Sequence, residues 1–129
     1  MQLSLKYSLP FTTITIAYQG RTLEISEVLV DTGSGGTVLA ADLLTTIQIT
    51  PVAEDVLHMI SGVGGSEVVF TRKIDYLQVG DKRIEDIEIE VGGMDYGFQI
   101  NGILGMDFLL RAGATINLRE MKIQFANQS

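Results

Sequence analysis

The sequence predicts an all-β fold, which is either a barrel or sandwich-like. Apolar and polar side chains alternate with a period of two over residues 13–18, as they do along a half-buried strand. The same alternation returns after turn signals at Gly20 and Gly80. Only two short segments, residues 40–47 and 106–112, have helical character. Many short strands separated by turns, with little helix, are typical of all-β architectures.

The first half of the chain supplies two strands and a short helix. The strand at residues 13–18 ends at the turn marked by Gly20, and a second strand covers residues 23–30. A helix is predicted over residues 40–47, because Asp42 lies near its start, where an acidic side chain is favourable.

The second half begins with the turn Val79-Gly80-Asp81, which leads into a strand over residues 84–91. The step of three between the apolar residues Ile84 and Ile87 breaks the alternation and predicts a bulge or a bend. The last predicted elements are a helix over 106–112 before Gly113 and two short strands over 116–118 and 121–125.

Composition excludes several classes of protein. The net charge of −7 argues against a nucleic-acid partner, because phosphate contacts need clustered Lys and Arg. The absence of cysteine excludes disulfides and thiolate metal sites, and the single histidine, His58, cannot build a histidine-containing metal cluster alone. No run of about 18 apolar residues is present to span a membrane, and Met1–Pro10 do not resemble a signal peptide. We therefore expect one cytoplasmic domain over residues 1–129, with no metal, no cofactor and no membrane segment.

The run Val28-Leu29-Val30-Asp31-Thr32-Gly33-Ser34 is the strongest chemical signal in the sequence. An apolar strand here delivers a carboxylate to a turn, in which Gly33 permits close backbone approach. Two carboxylates about 3 Å apart share one proton, so one acts as general base on water and the other as general acid. Ser34 is placed to donate to the carboxylate and favour its charged form. Because the motif occurs once, this chemistry requires two copies of the chain.

A second motif, Ile103-Leu104-Gly105, strengthens the catalytic interpretation. An Asp-Thr-Gly sequence alone is also compatible with an ordinary turn or a helix cap. Here an apolar strand precedes it and Ser-Gly-Gly-Thr follows it, and the second motif comes at a suitable distance. Residues 28–39 and 103–109 together resemble the retropepsin-like aspartic proteases, the single-domain homodimeric branch of the acid proteases.

The resemblance implies an all-β, small closed barrel-like fold with one short C-terminal helix. It implies that Asp31 is the catalytic aspartate and that Thr32 interlocks with its symmetry mate. Gly33 would contribute backbone contacts to the substrate. The Ile103-Leu104-Gly105 motif would thread behind the active-site loop and hold it in place.

The glycine-rich segment Ser61-Gly62-Val63-Gly64-Gly65 lies between the two motifs. Apolar residues flank it, which predicts a hairpin with a mobile turn. The resemblance implies that this hairpin is a flap that orders over substrate and excludes water, whereas an ordinary hairpin is the alternative. Candidates for an apolar lining of the cleft are Val30, Val38, Ile60, Val63 and Ile103.

Two positions depart from the family pattern. Retroviral members often follow the second motif with an Arg that braces the dimer, whereas this chain has Met106-Asp107. Arg111, one helical turn later, is the candidate substitute. Many retroviral members have Ala where this chain has Ser34, and the predicted hydrogen bond from Ser34 favours a more acidic activity optimum.

The predicted function is hydrolysis of peptide bonds by a homodimeric aspartic endopeptidase acting on a peptide or protein substrate. The segments Gln2 to Leu9 and Lys122 to Ala126 are candidates for dimer contacts. One alternative is a catalytically inactive binding or dimerisation module with the same fold. Another is a processing domain cut from a longer precursor.

Overall fold

The computed structural model describes residues 1–55, 57–62, 65–94 and 99–127, with only the backbone described at 58–62 and 65–68. Most of these residues lie in β-strands. They are β1 (Ser4–Lys6), β2 (Leu9–Tyr18), β3 (Arg21–Val30), β4 (Val38–Ala40), β5 (Leu57–Gly62), β6 (Gly65–Val79), β7 (Lys82–Gly92), β8 (Gly102–Leu104), β9 (Ala114–Asn117) and β10 (Lys122–Phe125). The helices are α1 (Ala41–Leu44), which a 3₁₀ turn over Thr45–Ile47 extends, and α2 (Met106–Arg111).

Six strands form a closed barrel. They are hydrogen-bonded in the order β2-β3-β8-β4-β7-β6, and β6 returns to β2 through the pairs Thr15↔Gln78, Ile16↔Leu77 and Ala17↔Tyr76. β1 extends the sheet beside β2, and β5 extends it beside β6. The prediction of an all-β closed barrel with a short C-terminal helix is therefore confirmed, and the sandwich alternative is excluded. A closed barrel leaves few exposed edges, which limits unwanted pairing with other chains.

Alternating side chains divide the apolar residues into two clusters. The main cluster fills the barrel and contains Val28 and Val30 of β3. A smaller cluster, made of Phe11, Ile100 and Ile103, packs against Leu29 on the other face of β3. Successive strand residues point to opposite faces, so β3 is held by packing on both sides just before Asp31.

Local irregularities depart from the simple alternation. At Asp86 the backbone is left-handed (φ 53°), yet the pairs Ile74↔Ile87 and Tyr76↔Glu85 keep the same register on either side. The predicted irregularity between Ile84 and Ile87 is therefore a bend and not a bulge. A β-bulge does occur at Glu27 (φ 57°), where the β2–β3 register shifts.

The terminal segments pair with each other within the chain. The Met1 amino group donates to the carbonyl oxygen of Ile123 (2.9 Å), and the Leu3 amide donates to that of Met121 (2.7 Å). Gln2 forms an antiparallel bridge with Lys122. Leu3 and Ile123, which belong to the two candidate segments for dimer contacts, thus use these backbone groups within one copy.

Candidate active site

The two sequence motifs meet through parallel pairing of β3 with β8. The register places Val28 opposite Gly102, Leu29 opposite Ile103 and Val30 opposite Leu104. The pairing continues one step beyond the strands, because the Asp31 amide donates to the carbonyl oxygen of Leu104 (3.0 Å). Asp31 therefore starts the loop over residues 31–37, called the Asp31 loop, at a fixed position. The strand immediately before it is packed on both faces.

The Asp31 carboxylate is held by its own loop. The Gly33 amide donates to Oδ1 of Asp31 at 2.8 Å. A side chain at position 33 would bring a Cβ atom within 3.1 Å of that same oxygen, so glycine permits this close approach. Asp31 is half-buried while Thr32 and Gly33 are exposed, so the structure leaves the carboxylate within reach of solvent.

Ser34 makes a different hydrogen bond from the one predicted. Its hydroxyl donates to the carbonyl oxygen of Gly36 (2.7 Å), and its amide donates to the carbonyl oxygen of Asp31 (3.2 Å). A hydroxyl carries a single proton, so in this arrangement Ser34 does not donate to the carboxylate. The prediction that the Ser34 hydroxyl donates to the Asp31 carboxylate is therefore wrong. The expectation of a more acidic activity optimum rested on that hydrogen bond and loses its support.

The second motif lies directly behind the Asp31 loop. The Met106 amide donates to the carbonyl oxygen of Ser34 (2.8 Å), and the Asp107 amide donates to that of Gly35 (3.2 Å). A Cβ atom at Gly105 would collide with the Gly36 carbonyl group and lie 2.9 Å from the Ser34 oxygen. The Ile103-Leu104-Gly105 motif thus supplies a strand pairing, a backbone acceptor and a space for the loop.

Thr37 and Asp107 form a link that the sequence did not predict. The Thr37 hydroxyl donates to Oδ1 of Asp107 (2.7 Å), and the Thr37 amide donates to Oδ2 (3.1 Å). The same hydroxyl accepts a hydrogen bond from the Gly105 amide (3.1 Å). The sequence showed only that Asp107 is an acidic residue in the first turn of a predicted helix. No pattern in the sequence indicated Thr37 as its partner.

Arg111, the candidate substitute for the Arg that braces the dimer, contacts β7 within one copy. Its guanidinium donates to the carbonyl oxygen of Glu85 on β7 (3.0 Å) and the residue is exposed. In the described residues it forms no ion pair, and the contacts to the Asp31 loop come from Asp107 instead.

A largely apolar cavity of about 500 Å³ opens beside Asp31. Its walls come from the N-terminal segment, the end of β3 and the β9–β10 region: Leu5, Ser8, Pro10, Val30, Asp31, Thr32, Ile116, Leu118 and Met121. Of the five candidate lining residues, Val30 lines this cavity. Val38 and Ile103 lie buried on neighbouring strands instead. The side chain of Ile60 and all of Val63 lie outside the described part of the chain.

The predicted glycine-rich hairpin is formed by β5 and β6. Their antiparallel pairing runs from Leu57↔Phe70 to Ser61↔Ser66 and Gly62↔Gly65, while Val63 and Gly64 lie outside the described residues. At its base, Arg72 of β6 forms an ion pair with Asp55 (2.7 Å) and donates to the carbonyl oxygen of Thr50 (2.9 Å). These contacts tie the segment before β5 to the hairpin.

The aspartyl protease family model matches residues 14–108, which include both motifs and the hairpin. The chain belongs to the aspartyl protease family. The crystal structure of a retropepsin-like aspartic protease from Rickettsia conorii aligns with this chain at a TM-score of 0.67. The alignment covers 95% of each chain at 16% identity, so it establishes the retropepsin-like fold alone. No curated protein matches the sequence.

Over the described ranges, no group of three or more His, Cys, Asp or Glu side chains is arranged to bind a metal ion. No helix within those ranges is long and apolar enough to cross a membrane.

Proposed function

We propose that residues 1–129 form one aspartic endopeptidase domain that hydrolyses peptide bonds as a homodimer, with Asp31 as its catalytic carboxylate. The observation that carries the proposal is the Asp31 loop. One solvent-reachable carboxylate is oriented by the Gly33 amide, and the second motif braces the loop from behind. Membership of the aspartyl protease family supports the same chemistry.

In the proposed mechanism two Asp31 carboxylates, one from each copy, lie about 3 Å apart and share one proton. The ionised carboxylate accepts a proton from water, which attacks the carbonyl carbon of the scissile peptide bond. The protonated carboxyl donates its proton to the carbonyl oxygen. The carboxyl that took the proton from water then donates it to the leaving nitrogen, the other carboxylate takes a proton from a hydroxyl of the tetrahedral species, and the C–N bond breaks. Water is the nucleophile, so the mechanism forms no covalent enzyme intermediate.

A homodimer follows from the count of carboxylates and is supported by the surface around Asp31. Leu5 and Leu118 line the cavity beside Asp31 and are 66% and 64% exposed. Apolar side chains of this size are stabilised by burial, which a second copy or a substrate would provide. Because the two-fold axis must pass close to Asp31, the cavity walls face the partner or the substrate.

The β5–β6 hairpin is the proposed flap. Ser61, Gly62, Val63, Gly64 and Gly65 would form the tip that closes over an extended peptide and excludes water. The ion pair between Arg72 and Asp55 ties the segment before β5 to β6 at the base of this hairpin. A fixed base with a glycine-rich tip is suited to a lid.

The test is cleavage of a diverse peptide mixture by the purified protein from about pH 3 to pH 8, with Asp31→Asn in parallel. Both proteins are first shown to be folded by circular dichroism. We expect cleavage by the wild type and at least a thousand-fold loss, on the order of other catalytic-residue removals, in the variant. Equal cleavage by both proteins would refute the role of Asp31. Cleavage by neither would indicate an inactive binding module.

A further inference from the structure

Glu90 is a carboxylate that the proposed mechanism does not use. It lies on β7, paired with Val38 of β4 on one side and with Thr71 of β6 on the other. β6 is also the second strand of the proposed flap. Glu90 is therefore located between the strand that follows the Asp31 loop and the strand that carries the flap.

The strand registers place Glu90 in one row with the residues beside the active site. Directly paired residues on neighbouring strands point to the same face of a sheet. The pairs Leu29↔Ile103, Val38↔Ile103, Val38↔Glu90 and Thr71↔Glu90 therefore define a continuous row across β3, β8, β4, β7 and β6. The row begins two residues before Asp31, and Glu90 is its only charged member.

The Glu90 carboxylate rests against the Asp31 loop. A Cβ atom built on Gly36 would lie 3.3 Å from Oε1 and 3.9 Å from Oε2 of Glu90. The carboxylate thus occupies the space that a side chain at position 36 would otherwise fill. Gly36 also packs against Gly105, so the carboxylate borders the contact between the Asp31 loop and the second motif.

Glu90 is half-buried, and its carboxylate has no hydrogen bond or ion pair in the part of the chain described. Three other acidic side chains that are also not fully exposed do have partners: Asp55 with Arg72, Glu27 with Lys6, and Asp107 with Thr37. Removing a carboxylate from water without a partner is unfavourable, and a cation entering this space would offset that cost.

We propose that Glu90 forms a subsite for a basic side chain, Lys or Arg, of the peptide substrate. The inference deepens the proposed protease function and rests on it. Gly33 and Gly36 are separated by three Cα–Cα steps, hence by at most about 11 Å. An extended peptide rises about 3.3 Å per residue, so the basic side chain lies within about three positions of the scissile bond. In a homodimer each copy contributes one Glu90, so the preference falls on both sides of the bond.

The test separates this subsite from turnover. The Asp31→Asn protein is used to capture peptides from a defined library in which the central residues of each peptide are apolar. Mass spectrometry of the captured peptides counts Lys and Arg at each position. We expect about a tenfold enrichment of basic residues over neutral ones, reduced several-fold in 0.5 M salt, about the effect of screening a charge pair. Adding Glu90→Gln should remove the enrichment, and Glu90→Lys should replace it with a preference for Asp or Glu.

Glu88→Gln is the matched control, because Glu88 lies two residues away on the same strand and is exposed opposite Lys73. It should leave the enrichment unchanged. If Glu90→Gln does not fold, Glu90→Asp should retain the basic preference. The proposed subsite is refuted if Glu90→Gln and Glu90→Lys leave the preference for basic residues unchanged, or if no peptide is captured at all. Basic enrichment without cleavage by the wild type would instead refute the protease function while supporting the subsite.

Discussion

Thr37 is the residue at which the two halves of the candidate site converge. It is fully buried (0% exposed), and its hydroxyl donates to Asp107 and accepts from the Gly105 amide. One side chain thus joins the end of the Asp31 loop to the backbone of the second motif and to the start of α2. Its contribution is to hold the loop, while the proposed chemistry belongs to Asp31.

Replacing Thr37 tests this role. Thr37→Val keeps the shape but leaves the buried Gly105 amide without an acceptor and removes a donor to Asp107. We expect the free energy of unfolding, measured by urea denaturation, to fall by about 2–3 kcal/mol. Thr37→Ser keeps the hydroxyl and should lose less than about 1 kcal/mol. Equal stability of the Val and Ser variants would show that the hydroxyl network is unimportant.

At the scale of elements, the end of β8 and the Asp31 loop approach closely because Gly105, the residue after β8, has no side chain. A side chain at Gly105 would meet the Gly36 carbonyl group and the Ser34 oxygen, whereas a Cβ atom at Gly35 has nothing within 4 Å. Two glycines that look alike in the sequence therefore differ in what surrounds them. The first is required by contact with another element, while the second faces open space.

Gly105→Ala should consequently displace the loop, and Gly35→Ala is its matched control. Because backbone atoms cannot move aside as a flexible side chain can, we expect Gly105→Ala to lower the unfolding free energy by about 1–3 kcal/mol. The proposed peptidase activity should fall by at least tenfold, since a misplaced catalytic group loses rate steeply. Thermal unfolding and cleavage assays on both variants provide the measurement. A Gly105→Ala protein as stable and active as Gly35→Ala would contradict the packing.

Local patterns in the sequence predicted individual elements but not the contacts between elements that are distant in the chain. The alternation over residues 13–18 and the turn at Gly80 are local signals, so the strands beside them could be placed, whereas the three-residue strands β1 and β4 were not predicted. The β3–β8 pairing and the contact between Thr37 and Asp107 join residues far apart in the chain, and no local pattern encodes such partners. The bulge at Glu27 was missed because its neighbours still read as one strand.

At the scale of the whole molecule, the proposed function depends on two copies contributing one Asp31 each. Mixing wild type with excess Asp31→Asn protein tests this directly, above the concentration at which all chains are paired. If mixed dimers are inactive, equimolar variant leaves about half of the wild-type activity, and ninefold excess leaves about one tenth. Peptide cleavage after re-equilibration gives the measurement. Activity that is insensitive to the variant would show that a single chain suffices.

The long separation between Thr37 and Asp107, 70 residues in sequence, also governs when the site comes into existence. Chains are synthesised from the N-terminus, so the Asp31 loop leaves the ribosome well before β8 and α2. Closing so long a loop is slow because its entropic cost precedes the contacts that reward it. A growing chain therefore carries Asp31 without an assembled loop around it. The proposed hydrolytic activity is therefore withheld until β8 and α2 have also been synthesised.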